Sequence, residues 1–271
     1  PIQSTRTAEP VIDALHYGLG GVSGVLVGFV LGLVGGGGSI LAVPLLLYLV
    51  GVKNPHVAIG TSAFAVAANA AIGLWNHSRA GTVNWRCGFI YAGAGVVGAF
   101  AGSTLGKSID GHQLMLLFAL LMIVVAILMF RGRGNEGIEG AMCSRENVGK
   151  VAGYGLGTGA FSGFFGIGGG FLIVPGLVAS TSMPILRAIG TSLVAVTAFG
   201  LTTSFNYAVS GLVNWPLAAV FIIGGMAGSA VGTRSARLLS TDKGRLNMIF
   251  AGFVMLVAIY MLWKSWAELA G

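Results

Sequence analysis

Charged side chains are scarce in this chain of 271 residues, since only 8% are Asp, Glu, Lys or Arg whereas 55% are hydrophobic. In an ordinary soluble domain, about a quarter of all residues are charged. So little charge cannot cover a water-exposed surface, which argues against a soluble protein. Apolar runs long enough to span a bilayer, about 18 residues or more, recur along the whole chain. The composition therefore predicts an all-α polytopic membrane protein.

Cysteine is rarer still. The two cysteines, Cys87 and Cys143, form no Cys-x-x-Cys pair and have no histidine close by in sequence. This spacing argues against a metal site and against a disulfide framework. We therefore expect both cysteines to be incidental, and we expect no metal ion and no cofactor.

Acidic residues are missing from the apolar runs, because all eight lie in the predicted tails, linker or loops. Proton- or sodium-coupled transporters commonly use a carboxylate inside the membrane, so obligate cation coupling is not supported. The first sixteen residues lack a basic region and a small-residue cleavage site, and we expect no cleaved signal peptide.

Glycine is abundant, at 46 of 271 residues, and glycine-rich segments reveal an internal repeat. Motifs that recur in the same order at a nearly constant offset predict two homologous multi-helix repeats. Three motifs occur twice: Gly-Gly-Gly-Gly-Ser-Ile-Leu-Ala-Val-Pro (35–44) and Gly-Ile-Gly-Gly-Gly-Phe-Leu-Ile-Val-Pro (166–175), Ala-Ile-Gly-Thr-Ser (58–62 and 188–192), and Gly-x-Val-Asn-Trp (81–85 and 211–215).

The repeats divide the chain into five parts. Each repeat contains four apolar stretches, of which the first is too long for one crossing and is interrupted by glycines. The segment between the repeats is polar and glycine-rich, as linkers are. We predict a polar N-terminal tail (1–17), membrane repeat 1 (18–131), a linker (132–150), membrane repeat 2 (151–266) and a C-terminal tail (267–271).

Topology depends on whether the first stretch of each repeat crosses the bilayer or turns back. If it crosses, the repeats are parallel and the 15 Lys and Arg residues divide 7 to 8 between the two sides. If it turns back, the repeats are inverted and the same 15 divide 4 to 11. Cytoplasmic loops are enriched in Lys and Arg. We therefore favour inverted repeats, each beginning with a glycine-broken or re-entrant helix, with a cytoplasmic linker and both termini outside.

The net charge of +7 is explained by this topology, and we expect no nucleic acid partner. The expected partners are the lipid bilayer and a small anion, with a homodimer left open.

The two glycine runs break apolar helix where unpaired backbone groups cost several kcal/mol unless they face protein or a water-filled cavity. A helix that restarts after such a break offers free N–H groups and the positive end of its dipole, which suits an anion. We predict that the two runs face each other and bind an anion near the midplane; close helix packing is the alternative. The residues are Gly35, Gly36, Gly37, Gly38, Ser39, Gly168, Gly169 and Gly170.

The second apolar stretch of each repeat carries small polar side chains on one helical face. Hydroxyl and amide groups can replace water around an anion without adding charge. Hydrogen bonding between helices explains any single one of them equally well. The candidate pathway residues are Thr61, Ser62, Asn69, Asn76, Thr191, Ser192 and Asn206.

Cations at the ends of these stretches form a third group of candidates: His77, Arg79 and Arg187. They could attract an anion or anchor a helix at the membrane interface, and for His77 and Arg79 we favour anchoring. The third stretch, in contrast, presents a face of small residues that predicts helix packing rather than substrate contact. This face comprises Gly88, Ala92, Gly95, Ala99, Gly102 and Gly106.

An enzyme is not expected. Gly21-Val-Ser-Gly24 has the short form seen around intramembrane serine nucleophiles, but such a nucleophile needs a base within hydrogen-bond reach. The four histidines lie near the ends of apolar stretches. We predict no catalytic residues.

Together the repeated motifs, over about residues 18–266, resemble the sulfite exporter TauE/SafE family, also called the toluene sulfonate uptake permeases. The resemblance implies a multi-pass permease of the bacterial inner membrane for sulfite, sulfoacetate or other organosulfonates, with export or uptake left open. A non-transporting membrane subunit is the remaining alternative. Gly36 aligns with Ile167 and Asn69 with Phe199, so the two halves need not contribute equally to a site.

Overall fold

The described part of the computed structural model is entirely helical apart from short connections, and no strand occurs in it. Six helices in this part are long and apolar enough to cross a membrane. The chain is therefore an all-α polytopic membrane protein, as predicted. The residues that the structure describes are 14–34, 36–131, 143, 146–166, 170–238 and 243–270.

Both repeats show the same order of elements: a long helix, a short returning half-helix and three long helices. Repeat 1 contains α1 (Ala14–Val34), a 3₁₀ turn (Gly36–Leu41), α2 (Ala42–Pro44), a π turn (Leu45–Leu49), α3 (Pro55–Arg79), α4 (Trp85–Ser108) and α5 (Gly111–Arg131). We call residues 36–49 the first half-helix. Repeat 2 contains α6 (Val148–Phe165), α7 (Gly170–Thr181), which is the second half-helix, α8 (Ile185–Val209), α9 (Trp215–Leu238) and α10 (Lys243–Ala270).

The Gly-x-Val-Asn-Trp motifs form the turns after α3 and α8. Gly81 and Gly211 have φ of +67° and +69°, a left-handed conformation that favours glycine. Asn84 and Asn214 then cap α4 and α9, since each side-chain oxygen accepts a bond from the backbone N–H three residues later. The repeated motif thus forms the turn between two helices and supplies the N-terminal cap of the second one.

Each turn is held by the other repeat. The backbone N–H of Asn214 donates to Thr61 Oγ1 at 2.9 Å, and that of Asn84 donates to Thr191 Oγ1 at 2.9 Å. Each threonine lies near the start of its helix, whereas each turn follows the end of the other helix. Consequently α3 and α8, the equivalent helices of the two repeats, run antiparallel.

Glycines bring the remaining helices of the two repeats into backbone contact. A Cβ on Gly24 or Gly28 of α1 would collide with the carbonyl of Phe221 or Gly225 of α9. Because these contacts advance in the same direction along both helices, α1 and α9 run parallel. The same register joins α4 and α6, where Gly159 lies against the carbonyl of Gly95. The small-residue seam predicted on α4 is confirmed.

The short turns reverse the chain between α3 and α4 and between α8 and α9, so α4 and α9 are antiparallel to each other, as α3 and α8 are. Because α1 is parallel to α9 and α6 is parallel to α4, α1 and α6 also run antiparallel. The arrangement is the one that inverted repeats require. Orientation in a bilayer stays a prediction.

The first half-helix returns to the end from which α1 starts. A Cβ built on Gly51, just after this half-helix, would lie 3.7 Å from His16 Nε2, near the start of α1. A return of this kind is what the re-entrant interpretation of the first apolar stretch expects, and its path through a bilayer stays a prediction.

The two cysteines form a disulfide, so the expectation that they are incidental was wrong. Cys87 lies at the start of α4 and Cys143 in the linker between the repeats, with Cα atoms 5.6 Å apart. Both residues are buried. Their separation of 56 positions carries no spacing signal, because the fold alone brings the linker onto α4.

We expect this disulfide to leave neither cysteine as a free thiol. We also expect it to stabilise the fold by about 2–4 kcal/mol, a typical value for closing a chain loop. Protein purified without reductant should take up no maleimide. After reduction under denaturing conditions, mass spectrometry should detect two maleimide-labelled cysteines. The paired variant Cys87→Ser, Cys143→Ser should melt at a lower temperature. Labelling of both cysteines in unreduced protein would contradict the pairing.

Candidate functional site

The glycine breaks lie inside the helix bundle. Gly38 is buried with no room for a side chain, since a Cβ there would collide with the α1 backbone at Leu31. Ser39 is fully buried beside it, and Gly170 is buried at the start of α7. Gly36 and Gly37 belong to the 3₁₀ turn. Of the predicted glycine site, Gly35, Gly168 and Gly169 lie outside the described residues.

The 3₁₀ turn that carries the first glycine run packs on the second half-helix, α7. Gly38 lies against the backbone of α1 at Leu31, and Gly166, which ends α6 with φ of +67°, lies against Ile59 of α3. That the two glycine runs face each other and bind an anion near the midplane stays a prediction.

The Ala-Ile-Gly-Thr-Ser motifs lie where the two repeats meet. Thr61 and Thr191 accept the turn N–H groups described above, and a Cβ on the preceding glycine of either motif would press on the same turn. Ser62 and Ser192 donate to backbone carbonyls of their own helices, at 3.0 and 2.8 Å. These four hydroxyl groups therefore have structural partners, and substrate contact by them stays a prediction.

Asn69 is the exception among the predicted pathway residues. It is the fifteenth of the 25 residues of α3, and its side chain is only 4% exposed. Among the described residues, neither Nδ2 nor Oδ1 has a hydrogen-bond partner. The amide packs on the backbone of α9 at Gly225, where a Cβ would collide with it. An unpartnered amide at membrane depth costs several kcal/mol.

The equivalent position in repeat 2 is apolar. Phe199 is likewise the fifteenth residue of a 25-residue helix, and it lies on Gly95 of α4 as Asn69 lies on Gly225. The Phe199 ring stacks on Tyr91 with centroids 6.4 Å apart. The two repeats therefore differ at this position, since repeat 1 places an amide in the middle of α3 and repeat 2 places an aromatic ring, stacked on Tyr91, in the middle of α8.

Asn206 belongs to a polar network between α4 and α8. Its Nδ2 donates to Ser103 Oγ at 2.6 Å and to Thr104 Oγ1 at 2.9 Å, while its Oδ1 accepts a bond from Lys107 Nζ at 2.7 Å. Lys107 is not among the site residues predicted from the sequence. Its position immediately after Gly106, at the end of the α4 seam, was the available signal for an inward-facing lysine.

The predicted cations occupy the opposite end of the bundle. His77 Nδ1 lies 2.8 Å from Thr82 Oγ1 in the turn after α3, and the exposed Arg79 guanidinium stacks over Trp75 at 4.8 Å. Both positions suit anchoring. Arg187 is exposed and lines a shallow cavity of about 210 Å³ beside the start of α4. Asn76 is exposed near the end of α3.

A metal centre finds no support in the described segments, where no group of three or more His, Cys, Asp or Glu residues could hold an ion.

Comparison with known proteins assigns the class. A "Probable membrane transporter protein" of Xylella fastidiosa (strain Temecula1) is 54% identical over 248 residues, covering 91% of this chain and 95% of that protein. YdhB of Bacillus subtilis, a "Probable membrane transporter protein", is 28% identical and covers 79% and 88%. MJ0441 of Methanocaldococcus jannaschii, named likewise, is 28% identical and covers 88% and 94%. No solved structure matches.

The multi-helix fold and these relatives define a polytopic membrane transporter. Residues 21–261 match the sequence model of the family described as Sulfite exporter TauE/SafE. The chain belongs to that family, which confirms the resemblance seen in its repeated motifs.

Proposed function

We propose that this transporter is a permease for small sulfur-containing anions, sulfite or organosulfonates such as sulfoacetate, in a bacterial inner membrane. The description of the family suggests a sulfur-containing substrate. The observation that carries anion binding is the amide of Asn69 in the middle of α3, which has no partner among the described residues. Its two N–H groups can donate to an oxyanion without placing a fixed charge in the membrane. The bound anion then accepts the hydrogen bonds of Nδ2, which has no acceptor among the described residues.

The half-helices support the same substrate class. Each begins at a glycine break within the bundle, where a helix start presents backbone N–H groups and a positive dipole end. We assign both breaks to one anion site near the midplane, as the repeated glycine motifs predict, and we assign Asn69 of α3 to the same anion path.

Transport without a coupling cation fits the distribution of charge, because no Asp or Glu lies within the apolar stretches. An anion leaving a cell with a negative interior gains roughly 2.3 kcal/mol per charge for each 100 mV. We therefore favour export driven by the membrane potential. Uptake of a sulfonate is the alternative direction.

Efflux from proteoliposomes tests this function. Vesicles loaded with radiolabelled sulfite or sulfoacetate should lose label faster when a potassium diffusion potential makes their interior negative, and slower when the potential is reversed. Protein-free vesicles provide the control. If neither anion leaves faster than from protein-free vesicles, the proposed substrate class is wrong; if efflux ignores the potential, potential-driven transport is wrong.

A further inference from the structure

The side chain of Lys107 makes contacts that are unusual for a lysine near the end of a membrane helix. It is the last residue but one of α4, from where a lysine side chain commonly extends to water. Instead its ammonium group bonds to the end of α8, in the other repeat: to the backbone carbonyl of Asn206 at 2.9 Å, to Asn206 Oδ1 at 2.7 Å and to Ser210 Oγ at 2.9 Å. It also lies 5.9 Å from the centre of the Tyr207 ring. These contacts tie the repeats together at this end of the bundle.

The charge of this lysine is not neutralised by the groups that bind it. All three acceptors are neutral oxygens, and Asp110, the next acidic residue along the chain, accepts a bond from the backbone N–H of His112 instead. A half-buried ammonium group with neutral partners keeps its positive potential, which draws anions from solution. The neighbouring hydroxyl groups of Ser103 and Thr104 accept from Asn206 Nδ2 and donate to the backbone carbonyl of Phe100 at 3.0 and 2.8 Å, so each donates to an anion by rotating its hydrogen away from that carbonyl.

We propose that Lys107, Ser103, Thr104 and Ser210 form an entry site for small oxyanions, and that Asn206 occupies this site until an anion replaces it. An oxyanion is a stronger acceptor for an ammonium group than a neutral amide oxygen, because the attraction between two opposite charges adds to the hydrogen bond. The incoming anion takes the Lys107 bonds and frees the end of α8 from α4. This latch, defined by Lys107 and Asn206, is thus released by the transported class of ligand.

We define the latch at this end of the molecule. Asn76 occupies the place of Asn206 in repeat 1, and it is exposed. The latch also lies away from Asn69, at the end of α4 rather than in the middle of α3. It therefore adds a separate contact to the anion path. The inference rests on the proposed function for the identity of the anion, but not for the geometry of the site.

Cysteine labelling tests the latch without requiring transport. Ser103 is fully buried, so a cysteine introduced by Ser103→Cys should react slowly with a membrane-impermeant maleimide. We expect methanesulfonate or sulfate, each compared with chloride at equal ionic strength, to accelerate labelling at least 5-fold. Adding Lys107→Met should make labelling fast without any anion. Lys53→Met provides the matched control, since Lys53 is an exposed lysine just before α3, at the same end of the bundle.

Transport kinetics provide the second readout. Lys107→Met should raise the KM for an anion offered from the Lys107 side at least 10-fold, while Vmax changes less than 3-fold. Lys107→Arg should restore most of the affinity. Lys53→Met should change neither constant. The latch is overturned if Ser103→Cys labelling is independent of oxyanions and Lys107→Met behaves like Lys53→Met. Anion-dependent labelling without sulfite or sulfonate transport would instead refute the proposed substrates and leave the latch standing.

Discussion

Replacing Asn69 by leucine should abolish transport while making the protein more stable. Leucine has the same branched shape as asparagine, so it fits beside Gly225 where the amide now packs. Removing an unpartnered buried amide recovers a desolvation penalty of about 1–3 kcal/mol. We expect Asn69→Leu to melt at a higher temperature in detergent and to transport at least 10-fold more slowly than the unmodified protein in proteoliposomes.

Thr203→Val is the matched control for this result. Thr203 is also fully buried in a membrane helix with an unpartnered oxygen, but it lies outside the predicted pathway. Its valine variant should gain stability and keep its transport rate. If Asn69→Leu transports normally, the central amide does not contact substrate. If Asn69→Leu is less stable than the unmodified protein, the amide has a partner that the static structure does not reveal.

Gly159→Leu should largely prevent folding, whereas Gly157→Leu on the same helix should be tolerated. Any side chain at Gly159 collides with the backbone of Gly95, and rigid backbone cannot make room as a flexible side chain can. The α4–α6 seam must then open, at a cost of about 3 kcal/mol or more. A Cβ on Gly157 meets no atom within 4 Å, so the change there should stay within about 0.5 kcal/mol.

Fluorescence-detected size-exclusion chromatography and thermal melting check this pair. Gly159→Leu should give little monodisperse protein, and Gly157→Leu should elute and melt like the unmodified chain. Equal behaviour of the two variants would show that the seam is not as tight as the backbone contacts indicate.

The sequence predicted the architecture well, because both the bilayer and the duplication leave local patterns. Apolar runs of spanning length must become helices that satisfy their own backbone groups, and the small-residue face from Gly88 to Gly106 predicted a seam that the structure confirms. The division of Lys and Arg favoured inverted repeats, and the antiparallel α3 and α8 agree with that arrangement.

Roles that depend on distant partners could not be predicted in the same way. Thr61 was a pathway candidate from its helical face alone, yet its hydroxyl accepts a bond from Asn214, 153 positions away. The bond from Lys107 to Asn206 spans 99 positions. Neither separation repeats along the chain or follows a helical period, so no local pattern reports it.

The disulfide between Cys87 and Cys143 provides a way to determine on which side of the membrane the linker lies. Cytosolic thiols are kept reduced, whereas the periplasm and the cell exterior allow disulfides to persist. Rapid acid quenching and alkylation of intact cells would therefore find free thiols if the linker is cytoplasmic, as the distribution of Lys and Arg predicts. A bond already formed in growing cells would place the cation-rich end outside. The redox compartment thus reports topology in the native protein, without an added tag.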